Sequence, residues 1–212
     1  MSNTPSFARR AALALLLTSA VGAQAQVVNG DFSAGLTGWN TLGNASVAGG
    51  QLSLDNSGVV ADASDLAAQA GISLASLDQN GSQAYEGSLA SQSFAAGAGD
   101  TLQFNWSFSS DETDLSPEFQ DYAFVAIDGQ MFRLTGVGDA LSSGSFSQIL
   151  GAGASHTVAF GVVDLGDYGV DSFLTVGGVQ VQVTAVPEPT GLALMLAGLG
   201  LVGGLARRRK AV

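Results

Sequence analysis

Carboxylates are the only side chains dense enough in this chain to suggest chemistry. Asp111, Glu112 and Asp114, followed by Glu118 and Asp121, crowd one short stretch. Ca²⁺ takes about six to eight oxygen ligands, and carboxylates on a turning backbone supply them. Asp111, Glu112, Asp114 and Asp121 are therefore the candidate calcium ligands, and calcium is the one cofactor the residues suggest. A second acidic group, Asp164, Asp167 and Asp171, lies on a glycine-rich loop before the last expected strand. Neither group has the spacing of the twelve-residue EF-hand loop, with its glycine at the sixth position and glutamate at the twelfth. The competing reading is a set of solvated loop acids that keep the protein soluble.

Catalysis finds few parts. Cysteine is absent and His156 is the single histidine. There is no Gly-x-Ser-x-Gly elbow and no histidine-rich metal motif, so acyl transfer and zinc hydrolysis lack their usual groups. A pair of carboxylates suffices for glycoside hydrolysis, but an abundance of acids does not by itself raise the pKa of any one of them. No residue is assigned a catalytic role, and the expectation is a protein that is not an enzyme. Four aromatic residues, Trp39, Tyr85, Tyr122 and Tyr168, are available to stack against a sugar ring, although Trp39 also reads as core beneath the first turn.

The elements that would position these groups read as strands. Leu102, Phe104, Trp106 and Phe108 alternate with polar residues from Thr101 to Ser109, which places four large apolar side chains on one face of a half-buried strand. Gln51 to Asp55 and His156 to Val163 alternate likewise, and Val179, Val181 and Val183 mark a closing strand. The apolar run Tyr122 to Ile127 meets Asp128-Gly129 and then a second strand through Met131 to Leu134. Asp-Gly between such runs signals a tight hairpin, because both residues tolerate positive φ. One helix is expected over Asp65 to Ala70, capped by Ser64 and closed by Gly71. Short strands separated by turns rich in glycine, of which the chain has 29, predict an all-β fold, a jelly-roll-like antiparallel sandwich with one short helix.

Charge is distributed unevenly. Of seven basic residues, Arg133 alone lies between residues 26 and 186, where it stands against seventeen acids, a formal charge of −16. Such a domain repels phosphate backbones, which excludes nucleic acid as a partner. The remaining bases sit at the two ends. Arg9 and Arg10 precede an apolar run from Ala11 to Val21, and Ala23 and Ala25 supply a small-x-small cleavage pattern. Residues 1–25 therefore read as a secretory signal peptide for the export machinery, with the mature chain starting at Gln26. At the other end an uncharged stretch from Thr190 to Ala206 is followed by Arg207, Arg208, Arg209 and Lys210, the arrangement of a membrane helix held with its basic end inside.

Pro187, Glu188 and Pro189, that glycine-rich apolar stretch and the arginine cluster together resemble a PEP-CTERM sorting signal of Gram-negative bacteria. The resemblance implies transient anchoring in the inner membrane over residues 187–212 and processing by an exosortase-type enzyme, with delivery to the cell surface or beyond. Within residues 26–186, Asn29-Gly30-Asp31-Phe32 and Gly38-Trp39 resemble the opening of jelly-roll carbohydrate-binding modules. Ser33 replaces the glutamate usual there, which removes one calcium ligand of those modules. Tyr85-Glu86-Gly87-Ser88, Asp121 to Val125 and Asp164 to Ser172 resemble a group of PEP-CTERM proteins of unknown function. The expectation is a surface or matrix protein with a structural or adhesive role beside extracellular polysaccharide, the alternatives being a carbohydrate-binding lectin and a glycoside-active enzyme.

Overall fold

The structure, a computed structural model, describes residues 26–184, 191 and 194–201. The expected signal peptide with Ala23 and Ala25, and the motif residues Pro187, Glu188 and Pro189, lie outside the described residues. Leu194, Met195, Leu196, Leu199 and Leu201 are helical and exposed. Among the described residues no helix is long and apolar enough to cross a membrane.

Among the described residues eleven strands form two antiparallel sheets. They are β1 (Asn40–Leu42), β2 (Asn44–Ala48), β3 (Gln51–Asp55), β4 (Ala61–Asp62), β5 (Ala84–Ala95), β6 (Thr101–Ser110), β7 (Tyr122–Ile127), β8 (Gln130–Gly136), β9 (Ser143–Ile149), β10 (Ser155–Leu165) and β11 (Ser172–Gln182). One sheet has the order β1-β5-β10-β7-β8, with the short β4 also paired to β5. The other has the order β2-β3-β11-β6-β9. The chain passes repeatedly from one sheet to the other, and the product is a jelly-roll-like β-sandwich. Between the sheets lie Leu52, Leu54, Phe104, Trp106, Phe108, Val125, Phe160, Val162, Leu174 and Val176.

The helix α1 (Ala63–Ala70) covers the outer face of the first sheet. Leu66, Ala67 and Ala70 pack there against Leu89, Phe124, Ala159 and Val163. This layer explains why β7 is an unbroken apolar run. Ala123, Val125 and Ile127 enter the inter-sheet core, while Tyr122, Phe124 and Ala126 face the helix layer. A strand buried on both faces loses its alternation. The helix closes as expected at Gly71, with φ 70°, where the Ile72 N–H reaches back to Ala67 O. Its start differs: the cap is Asp62 and not Ser64, and the Asp62 side chain makes no capping hydrogen bond. The backbone turns into the helix directly from the β4–β5 pairing, so that pairing sets the start.

The Asp128-Gly129 hairpin forms as expected, with φ of 51° and 79°. The closing strand begins earlier than the valines indicate, at Ser172, and Val183 falls outside it and is exposed. The opening motif proves to be a brace. Asn29 takes φ 52°, its amide donates to Gly35 O and Thr37 O, and its carbonyl oxygen accepts from the Trp39 indole.

β5 is the longest strand, and its polar sequence conceals it. Ser88 and Gln92 point inward and tie loops to the strand. Ser88 donates to Asp55 O and accepts from Asn44 N–H, while the Gln92 amide holds Val28 and Gly38. Gly87 admits the neighbouring strand: a Cβ there would stand 2.1 Å from Val162 O. Gly87→Ala is therefore expected to destabilise the fold by about 1–3 kcal/mol, the range for overpacking. Urea unfolding of the variant checks this, and an unchanged midpoint would mean that β5 and β10 approach less closely.

Candidate functional site

The acidic stretch divides between surface and interior. Glu112 and Asp114 close local turns: the carboxylate of Glu112 accepts from Asp114 N–H and that of Asp114 from Ser116 N–H. Those Ser116 hydrogen bonds, hydroxyl and backbone, hold the exposed Asp114 carboxyl below the usual carboxylate range. Asp111 is exposed, and its N–H donates to Asp171 O. Asp121 instead lies at the start of β7 with 3% exposure, between the sheets. It accepts from Asn56 Nδ2 and Ser172 Oγ, each at 2.8 Å, and from Leu165 N–H at 3.0 Å. The structure thus does not assemble Asp111, Glu112, Asp114 and Asp121 into one ligand set. Among the described residues no three acidic or histidine side chains converge closely enough to hold a metal ion.

The second acidic group divides in the same way. Asp171 is exposed, whereas Asp164 is 2% exposed at the end of β10. Burial, reinforced by Asp121, Asp167 and Glu86, pushes the Asp164 carboxyl up to about 8. Burial also raises Asp121, to about 6, against the opposing pull of its hydrogen bonds. His156 is a structural residue. It is 2% exposed, its Nδ1 lies 2.6 Å from Asp128 Oδ2, and Asp128 also accepts from Thr157 N–H. This pair pins the β7–β8 hairpin to β10.

Of the four aromatic candidates, two are core. Trp39 packs against Phe32 and Phe160, and Tyr122 is fully buried with its hydroxyl donating to Leu77 O. Tyr85 and Tyr168 remain, facing each other at 4.8 Å between ring centroids, with Tyr168 68% exposed.

One concavity was not anticipated. A groove of about 590 Å³ runs over the outer face of the first sheet beside α1. β1 contributes Asn40 and Thr41, β5 contributes Ser91 and Ser93, β10 contributes Thr157, and α1 contributes Gln69. The Gln69 amide donates to Asn40 O at 3.0 Å and to Ser91 Oγ at 3.1 Å, joining helix to sheet across the groove. The Trp39 and Gln92 positions form its inner end, although both side chains are buried. No charged residue lines it. Hydroxyls and amides both donate and accept, so the surface suits a neutral ligand rich in hydroxyl groups. It holds neither a nucleophile with a base nor paired carboxylates. Nothing in the sequence singled these residues out, because serine and threonine facing outward from a strand look the same whether or not a helix walls them in.

Residues 185–210 match the family model of the PEP-CTERM protein-sorting motif. The chain therefore carries the marker of an exported, cell-envelope-directed protein sorted by exosortase-type machinery. No curated protein matches the sequence. Solved structures similar to the chain include one described as "CBM4 structure and function", at 16% identity and TM-score 0.37, covering 72% of this chain and 99% of that one. Another is the carbohydrate-binding module TmCBM61 in complex with β-1,4-galactotriose, at 10% identity and TM-score 0.39, covering 76% and 100%.

Proposed function

We propose that this is a non-catalytic surface or matrix protein whose sandwich, residues 26–186, holds neutral extracellular polysaccharide in the groove beside α1. On this reading residues 1–25 direct export. Residues 187–212 anchor the chain briefly in the inner membrane until the sorting enzyme acts near Pro187, Glu188 and Pro189. The observation that supports the binding role is the uncharged lining of hydroxyls and amides in the groove. In a domain with a formal charge of −16, an uncharged concave surface is where a neutral polymer meets hydrogen-bonding groups without facing a field. Glycoside hydrolysis needs two carboxylates flanking the bond to be cut, and the groove lining contains none.

The test is affinity electrophoresis of the full chain through gels containing a neutral β-glucan, galactan or xylan. At least one polymer is expected to retard the protein, with little dependence on salt, because no ion pairs are involved. Ser93→Trp, which fills the groove from an exposed position, combined with Gln69→Ala is expected to weaken retention by about tenfold. That corresponds to the loss of one or two hydrogen bonds. Retention that persists unchanged in the double variant would refute the assignment.

A further inference from the structure

The far end of the β5–β10 ladder is built differently from the rest. Glu86 and Asp164 face each other across it, and the register then shifts so that Leu165 pairs with Ala84 and Tyr85 is left unpaired. The chain leaves β10 through Gly166, φ 85°, where a Cβ would stand 1.9 Å from Glu118 O. This close approach directs the following loop back over the ladder. Asp167 comes close enough to the Asp164 carboxyl to help push it up, and Tyr168 comes to rest against Tyr85 at 4.8 Å with the rings 45° apart.

Asp164 Oδ1 is buried and has no hydrogen-bond partner. Its acidic neighbours are Asp121, Asp167 and Glu86, carboxylates that when ionised accept and do not donate. No base compensates them. Arg133, the single Lys or Arg between residues 26 and 186, is paired with Asp139. Burial first, and then these uncompensated neighbours, push the Asp164 carboxyl up. Beside these carboxylates stand the exposed ring of Tyr168 and the half-buried ring of Tyr85, in contact with each other.

We propose that Tyr85, Tyr168, Glu86 and Asp167, over the buried Asp164, form a second ligand site that takes a saccharide bearing a free ammonium group. Its pyranose C–H face lies on the tyrosine pair, and its ammonium donates to Asp167 and Glu86. Each alternative leaves something unmatched. A neutral sugar stacks on the rings but supplies no positive charge. A simple aliphatic amine meets the carboxylates and leaves most of the aromatic surface bare. A compact metal ion needs convergent ligands, and the carboxylates here are spread along a strand and a loop. The ammonium also gains from the faces of the tyrosine rings. The site shares no residue with the groove, and the proposal does not depend on the groove's being occupied.

The test is isothermal titration of the full chain with tetra-glucosamine and with its fully N-acetylated counterpart, at pH 6 and constant ionic strength. The deacetylated tetramer is expected to bind at least about tenfold more tightly, one power of ten in affinity. Tyr168→Ala and Asp167→Asn should each abolish that preference, while Tyr168→Phe retains it. Ser93→Trp, in the groove, should leave it unchanged, so the two sites fail or stand separately. Equal affinity for the two tetramers would overturn the proposal. So would spermidine binding as tightly as the amino sugar, which would indicate charge alone, or Ca²⁺ displacing the sugar, which would indicate a metal site. Unaltered binding in Tyr168→Ala would likewise overturn it.

Discussion

Trp106→Ala is expected to lower the unfolding free energy by about 3–5 kcal/mol, the range for truncating a large aromatic residue in a core. Trp106 lies in the middle of β6 with 8% exposure, paired to Val176 of β11 on one side and Gly144 of β9 on the other. Its ring fills the space over Gly144, where a Cβ would stand 3.0 Å from Trp106 Cζ2. Glycine in the edge strand and tryptophan in the strand beside it are thus complementary, and Gly144 has no side chain that could move into the void. Leu102, Phe104 and Phe108 share the same face and would lose part of their packing. Urea unfolding followed by far-UV circular dichroism gives the value. A loss below about 1 kcal/mol would mean that the inward face of β6 is misassigned.

Stability is expected to rise as the pH falls from about 8.5 towards 4.5, opposite to the acid denaturation common among proteins. Asp164 and Asp121 have carboxyls pushed up in the folded state, to about 8 and about 6, from an ordinary value of 3.8. Between the unfolded and folded values the folded chain binds the extra proton, so lowering the pH favours folding. The contribution is complete below about 3.8 and is lost as the pH climbs through about 8 for Asp164 and about 6 for Asp121. Within each window the slope approaches about 1.4 kcal/mol per pH unit per group. For a chain of this size each kcal/mol moves the melting temperature by about 2–4 °C. Thermal unfolding across this pH range provides the measurement. Asp164→Asn, which removes the charge and keeps the shape, should raise the melting temperature at pH 8.5 and flatten the profile above pH 6. A profile of unchanged steepness in that variant would assign the pH dependence to general charge repulsion instead.

The legible parts of the fold were those in which apolar residues repeat with the period of a single buried face. β3, β6 and the β7–β8 hairpin appear where Leu52 and Leu54, Leu102 to Phe108, and Asp128-Gly129 place them. β5 was illegible because Ser88 and Gln92 occupy inward positions and Gly87 lies where another strand presses close. These residues read locally as loop. Asp121 was grouped with the loop acids as a candidate calcium ligand, and its burial was hidden for a related reason. Its partners Asn56 and Ser172 lie 65 and 51 residues away, and only the closed sandwich brings three donors to one carboxylate. The groove was hidden too, since it arises from the placement of α1 over strands whose outward residues are ordinary serines and threonines. Tyr85 and Tyr168 were visible as candidates, but their contact depends on the turn that Gly166 makes.

Arg133 has a consequence outside electrostatics. It is the one lysine or arginine between residues 11 and 206, so a trypsin-like protease meets a single susceptible bond in the whole folded body. That bond lies inside β8, where Arg133 is paired with Phe124 of β7 and its guanidinium is bound to Asp139. Proteases cut chains they can draw out into an extended form, so β8 must first be peeled from β7. With a single basic residue in this body, and that one sewn into a sheet, the exported domain offers such a protease little to cut.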